Sequence, residues 1–254
     1  MNNGFYRAGP LKRFIVCVGI ALITGSVITY KPIYAEGQTK YSKDFFDKAE
    51  PIKLKDPLAS MLGAMDKGGV FVYTYADAVK FAGHSCPAVA GAYKSAQMAL
   101  KALYGDEIPV RGNIRVTFKG DVTYKVNGPI SQIITMITGA AAENGFQGFG
   151  SSGKHGRHNL MTFDMTFDKD HMPDPKTTCD IIFQRIDNGK KTEVLYCVEH
   201  VPGNERMDKL TPLVLSGKAS EDEAKEFGNL WQERVKTILL NPPEGTFILK
   251  EVKE

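Results

Sequence analysis

The sequence lacks the features that define several protein classes. It contains no internal repeat and no low-complexity tract, and its 254 residues are 43% hydrophobic and 24% charged. This is the composition of an ordinary globular protein, and it excludes a disordered chain, a collagen and a protein with many membrane spans. A chain of this length is sufficient for one good hydrophobic core, or for one core with a smaller appendage.

Long apolar runs are scarce, and the one that stands out lies near the N-terminus. Three basic residues precede the run FIVCVGIALITGSVITY, and the small residue Ala35 follows it. This order is typical of a secretory signal, so we expect residues 1–35 to be removed and the protein to be periplasmic or extracellular. The alternative is an uncleaved anchor in which residues 14–30 span the membrane once.

The apparent positive charge belongs to that N-terminal segment. The chain has 32 Lys and Arg against 29 Asp and Glu, and residues 1–35 hold four of the basic residues and none of the acidic ones. The remainder has 28 basic and 29 acidic residues, a net charge of −1. No electrostatic argument for a nucleic-acid partner is left, and we expect membrane contact only through an uncleaved N-terminus.

Cysteine is also scarce. Of the four cysteines, Cys17 lies in the predicted signal, which leaves Cys86, Cys179 and Cys197. An odd number in an oxidising compartment means that at least one thiol is outside any intramolecular disulfide. Such a thiol is liable to oxidation unless burial or a metal ion protects it.

Local patterns after the N-terminal segment predict helices and a linker. Residues 36–55 are polar and rich in lysine, which indicates a linker. Asp56 before Pro57 is typical of a helix start. Apolar residues three or four apart predict a helix that begins at Pro87 with Cys86 as its N-cap. Further helices are predicted in GPISQIITMITGAAAEN and after the capping box of Ser220 and Glu223.

Alternating apolar residues predict strands between these helices. The strands are NIRVTFKG, DVTYKV, NLMTFDMTF and TFILKEV, together with a hairpin in TCDIIFQRIDNGKKTEVLYCVEH. We therefore predict a single α+β domain over residues 56–254, with mainly antiparallel hairpin strands and helices packed on one face.

The hairpin has two plausible registers around the turn residues Asn188 and Gly189. A two-residue turn places Cys179 opposite Val198, whereas a three-residue loop places it opposite Cys197, within reach of a disulfide. We favour the first register, since it also aligns apolar residues of the two strands. Whether the two cysteines form a disulfide stays open.

The stretch FAGHSCPAVAGAYKSAQMAL carries an imidazole and a thiol two residues apart at a predicted helix start. Histidine and cysteine are ligands that suit Zn²⁺ and related transition metals. The N-terminus of a helix offers unpaired N–H groups and a positive dipole end, which favour a thiolate. His84 and Cys86 are therefore candidate metal ligands. The same features would suit a nucleophilic cysteine with a histidine base, and a purely structural cysteine is the further alternative.

This stretch resembles the signature of the FmdE-like family, which takes its name from formylmethanofuran dehydrogenase and reads F-x-G-H-x-C-P-G before a helix rich in small residues. The matching residues are Phe81, Gly83, His84, Cys86, Pro87 and Gly91. A second stretch is similar to the family's helix ending in Thr-Gly and its glycine–lysine loop. The matching residues there are Thr138, Gly139, Gly153, Lys154, Asn159 and Leu160.

The resemblance implies an α+β domain, a metal bound by the histidine and cysteine of the first motif, and a homodimer. The chain departs from the family pattern where members usually carry two more cysteines, since it has VNGPIS and Ala140 there, and it lacks the C-terminal zinc ribbon. A metal site would need other ligands. His155 and His158 lie three apart in a glycine-rich loop, so both could turn to one ion. The alternative is an ordinary polar loop.

The same loop nearly matches the phosphate-binding pattern G-x-x-x-x-G-K-[ST] from Gly148 onward. His155 stands where the pattern needs a hydroxyl, and a predicted strand follows where the pattern needs a helix. We therefore assign no nucleotide site. Binding of an anion by the loop amides stays open.

We predict an exported protein that binds a transition metal, with zinc as the expected ion, and that handles this metal or a small metal-containing ligand. One alternative is a metal- or thiolate-dependent enzyme acting on a small molecule, whose catalytic residues the sequence does not identify. A second is a metal-free adaptor in which Cys86 only caps its helix. An enzyme should lose turnover in Cys86→Ser, whereas a carrier should exchange its metal without turnover.

Overall fold

A computed structural model describes residues 39–166 and 176–252 of the chain. One compact unit spans Ser42–Glu254. The predicted signal or anchor, residues 1–35, lies outside the described residues. Within the described ranges, no helix combines the length and the apolar character that a membrane crossing requires.

Helices and strands follow one another along the described residues. The helices are α1 Pro57–Met61, α2 Tyr75–Ala82, α3 Pro87–Tyr104, α4 Asn127–Thr138, α5 Glu205–Leu215 and α6 Glu221–Leu240. The strands are β1 Ile52–Lys55, β2 Val70–Tyr73, β3 Ile114–Lys119, β4 Met161–Asp164, β5 Cys179–Arg185, β6 Lys191–Tyr196 and β7 Phe247–Val252.

Strands β3 to β7 form one sheet in the order β4-β3-β5-β6-β7, and β1 pairs with β2 in a small second sheet. The β3–β4 pair is parallel, and the other pairs are antiparallel. The prediction of an α+β domain with mainly antiparallel strands is confirmed.

The core lies between one face of the large sheet and a layer of helices centred on α3. Helix α3 contacts β5, β6 and β7, and both α4 and α6 contact α3. Because side chains alternate along a strand, every second residue of the central strands faces this layer. The buried residues of that face are Val116, Phe118, Ile181, Phe183, Val194 and Tyr196. The prediction of helices on one face is confirmed.

Residues 42–55 belong to the fold, so the prediction of a linker is wrong for this stretch. Phe45 is 2% exposed and Leu54 0% exposed. Strand β1 alternates buried apolar residues with exposed lysines, Lys53 and Lys55. The lysines that suggested a solvated linker are therefore only the outer face of a strand.

The stretch DVTYKV is a series of turns, and its prediction as a strand is wrong. The Asp121 carboxylate accepts bonds from the Thr123 backbone N–H at 2.7 Å and from its hydroxyl at 2.6 Å. The Asn127 side-chain amide donates to the carbonyls of Lys119 and Asp121, at 3.0 Å each. These side chains offer the backbone an alternative to a strand ladder.

Helix α4 ends before the run AAAEN that we predicted as its continuation. Gly139 adopts the left-handed conformation, with φ of 75°, and its N–H bonds to the Thr135 carbonyl at 2.8 Å. This is a common helix ending, and glycine adopts it without steric cost. The chain then pairs with the glycine-rich loop, where the Ala141 N–H bonds to the Arg157 carbonyl at 3.0 Å.

The β5–β6 hairpin has neither of the two predicted registers. Cys179 lies opposite Tyr196, because residues 186–189 form a longer loop with Gly189 in the left-handed conformation. The favoured register is therefore wrong by two positions, which keeps each side chain on its predicted face. Cys179 and Cys197 are both buried and are not joined by a disulfide.

The face of the sheet opposite α3 carries a buried carboxyl group, Asp180. It is 2% exposed, and its Oδ2 lies 3.1 Å from the Lys119 Nζ. The same ammonium group contacts Glu193. Burial, and then the neighbouring Glu193 carboxylate, raise the pKa of Asp180 to about 6, although Lys119 opposes the shift.

This raised pKa predicts a pH-dependent stability. An acid whose pKa is higher in the folded state binds its proton more tightly there, so its stabilising contribution is complete below about pH 4 and is lost as the pH rises through about 6. Relative to Asp180→Asn, the wild type should lose about 1–3 kcal/mol of unfolding free energy between these limits. Urea denaturation over a pH series measures this. A difference between the two proteins that does not vary with pH would contradict the prediction.

Candidate metal site

His84 and Cys86 lie in the short connection between two helices. Helix α2 ends at Ala82, and Gly83 takes the left-handed conformation, with φ of 75° and ψ of 0°. Cys86 is extended, with φ of −146° and ψ of 168°, and it is the N-cap of α3. The predicted position of Cys86 is therefore confirmed.

The two candidate donors are both accessible on this connection. His84 is exposed, and its Nδ1 lies 3.0 Å from the Ala82 carbonyl oxygen. When Nδ1 donates its proton to that oxygen, Nε2 carries the lone pair that a metal ion needs. Cys86 is half-buried, and its thiol makes no capping bond to the described N–H groups of α3.

Two helices hold the residue between the donors. The Ser85 carbonyl oxygen accepts hydrogen bonds from Trp231 Nε1 and Gln232 Nε2 of α6, both at 3.0 Å. The Ser85 hydroxyl lies 3.0 Å from the Tyr75 hydroxyl of α2. Burial raises the pKa of Tyr75, so this phenol keeps its proton. The connection is thus tied to the body of the protein by side chains.

Strand β6 holds the first turn of α3 through Tyr196. The Tyr196 hydroxyl donates to the Pro87 carbonyl at 2.9 Å. Its ring fills the space beside Gly91, where an added Cβ would overlap the ring. Glycine at this position therefore allows the helix that carries Cys86 to lie directly on the sheet.

This contact predicts that replacing glycine with alanine has opposite effects on stability at Gly91 and at Gly228. Gly91→Ala should lower the free energy of unfolding by about 1–3 kcal/mol, because the Tyr196 ring is fully buried and has little room to move. Gly228→Ala in α6, where an added Cβ meets no described atom within 4 Å, should raise it by about 0.5–1 kcal/mol. Urea denaturation measures both. Equal effects at the two sites would contradict the packing described above.

The two loop histidines flank a buried arginine. Arg157 is 6% exposed, and its Nη2 donates to the Asp56 carboxylate at 2.7 Å. His155 adopts a left-handed φ of 60°, and the His158 Nδ1 lies 3.4 Å from the Phe146 carbonyl oxygen. The loop is therefore anchored by a buried ion pair rather than being uniformly polar surface.

The loop histidines lie at the opposite end of the large sheet from the helix connection. Strand β4 begins at Met161, shortly after His158, and runs parallel to β3. The loop histidines therefore lie towards the amino end of β3. Helix α3 begins at Pro87, whose carbonyl bonds to Tyr196, the last residue of β6. Tyr196 in turn lies opposite Cys179, the first residue of β5. Since β5 runs antiparallel to β3, that is the carboxyl end of β3.

The four predicted ligands thus form two separate pairs in one chain. Among residues 39–166 and 176–252, no three or more His, Cys, Asp or Glu side chains are grouped so that they could hold a metal ion. His84 and Cys86 fit zinc in their chemistry, because an imidazole and a thiolate at a helix N-terminus are suitable donors. They would supply two of the four ligands of a tetrahedral site.

Sequence reasoning missed the residues that support the connection. Tyr75, Tyr196, Trp231 and Gln232 carry no motif. The partner of Tyr75 lies 10 residues away, and the partners of the other three lie 109 to 147 residues away. The sequence contains a single tryptophan, Trp231, but this residue alone gave no signal for a contact with Ser85. The ion pair between Asp56 and Arg157 had no signal at all.

The fold and the connection define an α+β domain in which His84 and Cys86 lie two residues apart at the N-terminus of α3. Residues 81–248, about two thirds of the chain, match the family model described as FmdE, Molybdenum formylmethanofuran dehydrogenase operon. The chain belongs to the FmdE family. No curated protein matches it. The small β1–β2 sheet and α1 precede the matched residues.

Proposed function

We propose that this member of the FmdE family is an exported protein that binds zinc or a related transition metal through His84 and Cys86. The observation that carries the proposal is the placement of both donors on one short connection that side chains from α2 and α6 hold. The exposed imidazole suits a site that takes up and releases its metal. The role is then the handling of a metal or of a small metal-containing ligand.

The chemistry of the pair favours zinc. A neutral imidazole nitrogen and a thiolate sulfur are ordinary zinc ligands, whereas Mg²⁺ and Ca²⁺ prefer oxygen. Bound zinc supplies a Lewis acid and neutralises the thiolate charge. A metal on Cys86 would also protect this thiol from oxidation outside the cell.

The remaining ligands are proposed to come from a second copy of the chain. His155 and His158 lie at the other end of the sheet in one chain, so they would reach His84 and Cys86 only across a homodimer. An antiparallel pair of chains would form two such sites by its two-fold symmetry. Water or a small ligand would complete the coordination in a monomer.

Export is proposed from the N-terminal sequence alone. The basic residues, the apolar run and Ala35 are those of a secretory signal. Mass spectrometry of the protein from its own compartment should give a chain that begins at Glu36. A chain that still contains residues 1–35 would favour the membrane anchor.

A small-molecule enzyme is the second candidate function, and one observation favours it. The Cys86 thiol lies at the N-terminus of α3 with no capping bond to the described N–H groups there, a placement that also suits a nucleophile. Such an enzyme would lose turnover in Cys86→Ser while staying folded.

Cobalt titration of the full chain tests the proposal. Co²⁺ replaces zinc readily and gives an intense near-ultraviolet band when it is bound by a thiolate. We expect about one Co²⁺ per chain with this band, and displacement by Zn²⁺. Cys197→Ala, which removes a buried thiol, should keep the band. The absence of both the band and any bound metal in a folded wild type would overturn the proposal.

A further inference from the structure

We infer that Trp231 and Gln232 are positioning residues for the His84–Cys86 pair, an inference that rests on the proposed function. Both lie in α6 and both donate to the Ser85 carbonyl oxygen at 3.0 Å. Neither has a donor atom of the kind that zinc prefers. They would act on the metal through the backbone between its two ligands.

The convergence of two donors on one oxygen fixes a specific peptide group. A carbonyl oxygen has two lone pairs, so it accepts both bonds without competition. This oxygen belongs to the peptide bond between Ser85 and Cys86, and two bonds to it restrict rotation of that plane. The plane sets the direction of the Cys86 side chain relative to His84.

The orientation of the Gln232 amide is set by this contact. Its Nε2 points to the Ser85 carbonyl, and its Oε1 is buried and accepts no hydrogen bond from the described residues. A flipped amide would place two acceptor oxygens against each other, which is unfavourable. The side chain therefore supports the connection while its own oxygen stays unsatisfied.

Helix α6 is a rigid base for the two donors. It begins with a capping box of Ser220 and Glu223, and Val235 and Ile238 are fully buried. A metal site whose ligands sit on a short connection gains affinity when such a support removes their freedom before the metal binds.

Two substitutions, combined in one double variant, remove the hydrogen bonds and keep the packing. Trp231→Phe loses the indole N–H and retains an aromatic ring, and Gln232→Leu loses the amide and retains the volume. Phe227→Leu is the matched control. The centroid of the Phe227 ring lies 5.8 Å from that of the Trp231 ring, so the substitution alters the packing there and keeps both hydrogen bonds to the Ser85 carbonyl. Zinc affinity is measured in the full chain by competition with a chromophoric chelator, with the cobalt spectrum and the melting temperature measured in parallel.

The double variant should bind zinc about 10–100-fold more weakly than the wild type and show a shifted cobalt spectrum. Phe227→Leu should keep the zinc affinity and the cobalt spectrum of the wild type, and it should lower the melting temperature at least as much as the double variant does. Affinity within about twofold of the wild type in the double variant, or an equal loss in Phe227→Leu, would overturn the positioning role alone. A wild type that binds no metal would overturn this inference together with the proposed function.

Discussion

Replacing Cys86 with serine is expected to abolish tight zinc binding and to leave the metal-free fold slightly more stable. In the proposed site the thiolate would be the charged donor, whereas a serine hydroxyl is neither anionic nor soft at neutral pH. We expect the affinity to fall by more than about 100-fold, since residues that only support ligands contribute about 10–100-fold. Serine is also a preferred N-cap, whereas Cys86 makes no capping bond to the described N–H groups of α3, so the variant should gain about 0.5–1 kcal/mol.

His84→Ala should lower the zinc affinity by the same factor as Cys86→Ser, with little change in the free energy of unfolding. The His84 side chain is exposed, and its ring nitrogen bonds only locally, to the Ala82 carbonyl two residues away. His200→Ala removes an imidazole outside both predicted ligand pairs and is the matched control. Chelator competition measures the affinity, and urea denaturation of the metal-free proteins measures the stability. Affinity equal to the wild type in both Cys86→Ser and His84→Ala would exclude them as ligands.

Asp56→Ala should cause the largest loss of stability outside the hydrophobic core. Asp56 is 4% exposed, and its carboxylate accepts bonds from Arg157 at 2.7 Å and from Arg111 at 3.1 Å. It also caps α1 through the Leu58 N–H at 3.0 Å. Removal leaves two guanidinium groups without their counter-ion, one of them buried, which costs about 3–5 kcal/mol.

Asp66 provides the control for this prediction. Asp66 is exposed in the turn after α1, so Asp66→Ala should change the free energy of unfolding by less than about 0.5 kcal/mol. Both variants are compared with the wild type by urea denaturation at neutral pH. A loss below about 1 kcal/mol in Asp56→Ala would mean that the ion pair contributes no more than a surface salt bridge.

The parts of the fold that could be predicted from the sequence depend on local chemistry. The start of α3 at Pro87, with Cys86 as its N-cap, follows from the preference of proline for the first helical turn. The start of α6 follows from the capping box of Ser220 and Glu223. The strands of the large sheet follow from their alternating apolar residues.

The parts that could not be predicted depend on contacts distant in the sequence or on loop geometry. The turn in DVTYKV depends on the Asn127 amide, and the register of the β5–β6 hairpin depends on a loop longer than the Asn-Gly pair indicated. The linker prediction failed because β1 buries Ile52 and Leu54 between lysines that resemble a solvated segment.

The position of the two candidate donors could be predicted from the sequence, but the side chains that support the connection could not. His84 and Cys86 carry the motif, so their placement at a helix N-terminus followed from the sequence. The bonds from Trp231 and Gln232 to Ser85 join residues about 146 positions apart. No local sequence pattern predicts such contacts. The expectation that His155 and His158 share the ion stays a prediction, and in one chain they lie at the other end of the sheet.

The metal content of the protein from its own compartment tests the central claim most directly. Mass spectrometry would be applied to untagged wild type and to His84→Ala and Cys86→Ser prepared in the same way. We predict about one equivalent of zinc or a related transition metal per chain in the wild type and none in either variant. A well-folded wild type that contains no metal and takes up none on titration would contradict the assignment of His84 and Cys86 as ligands.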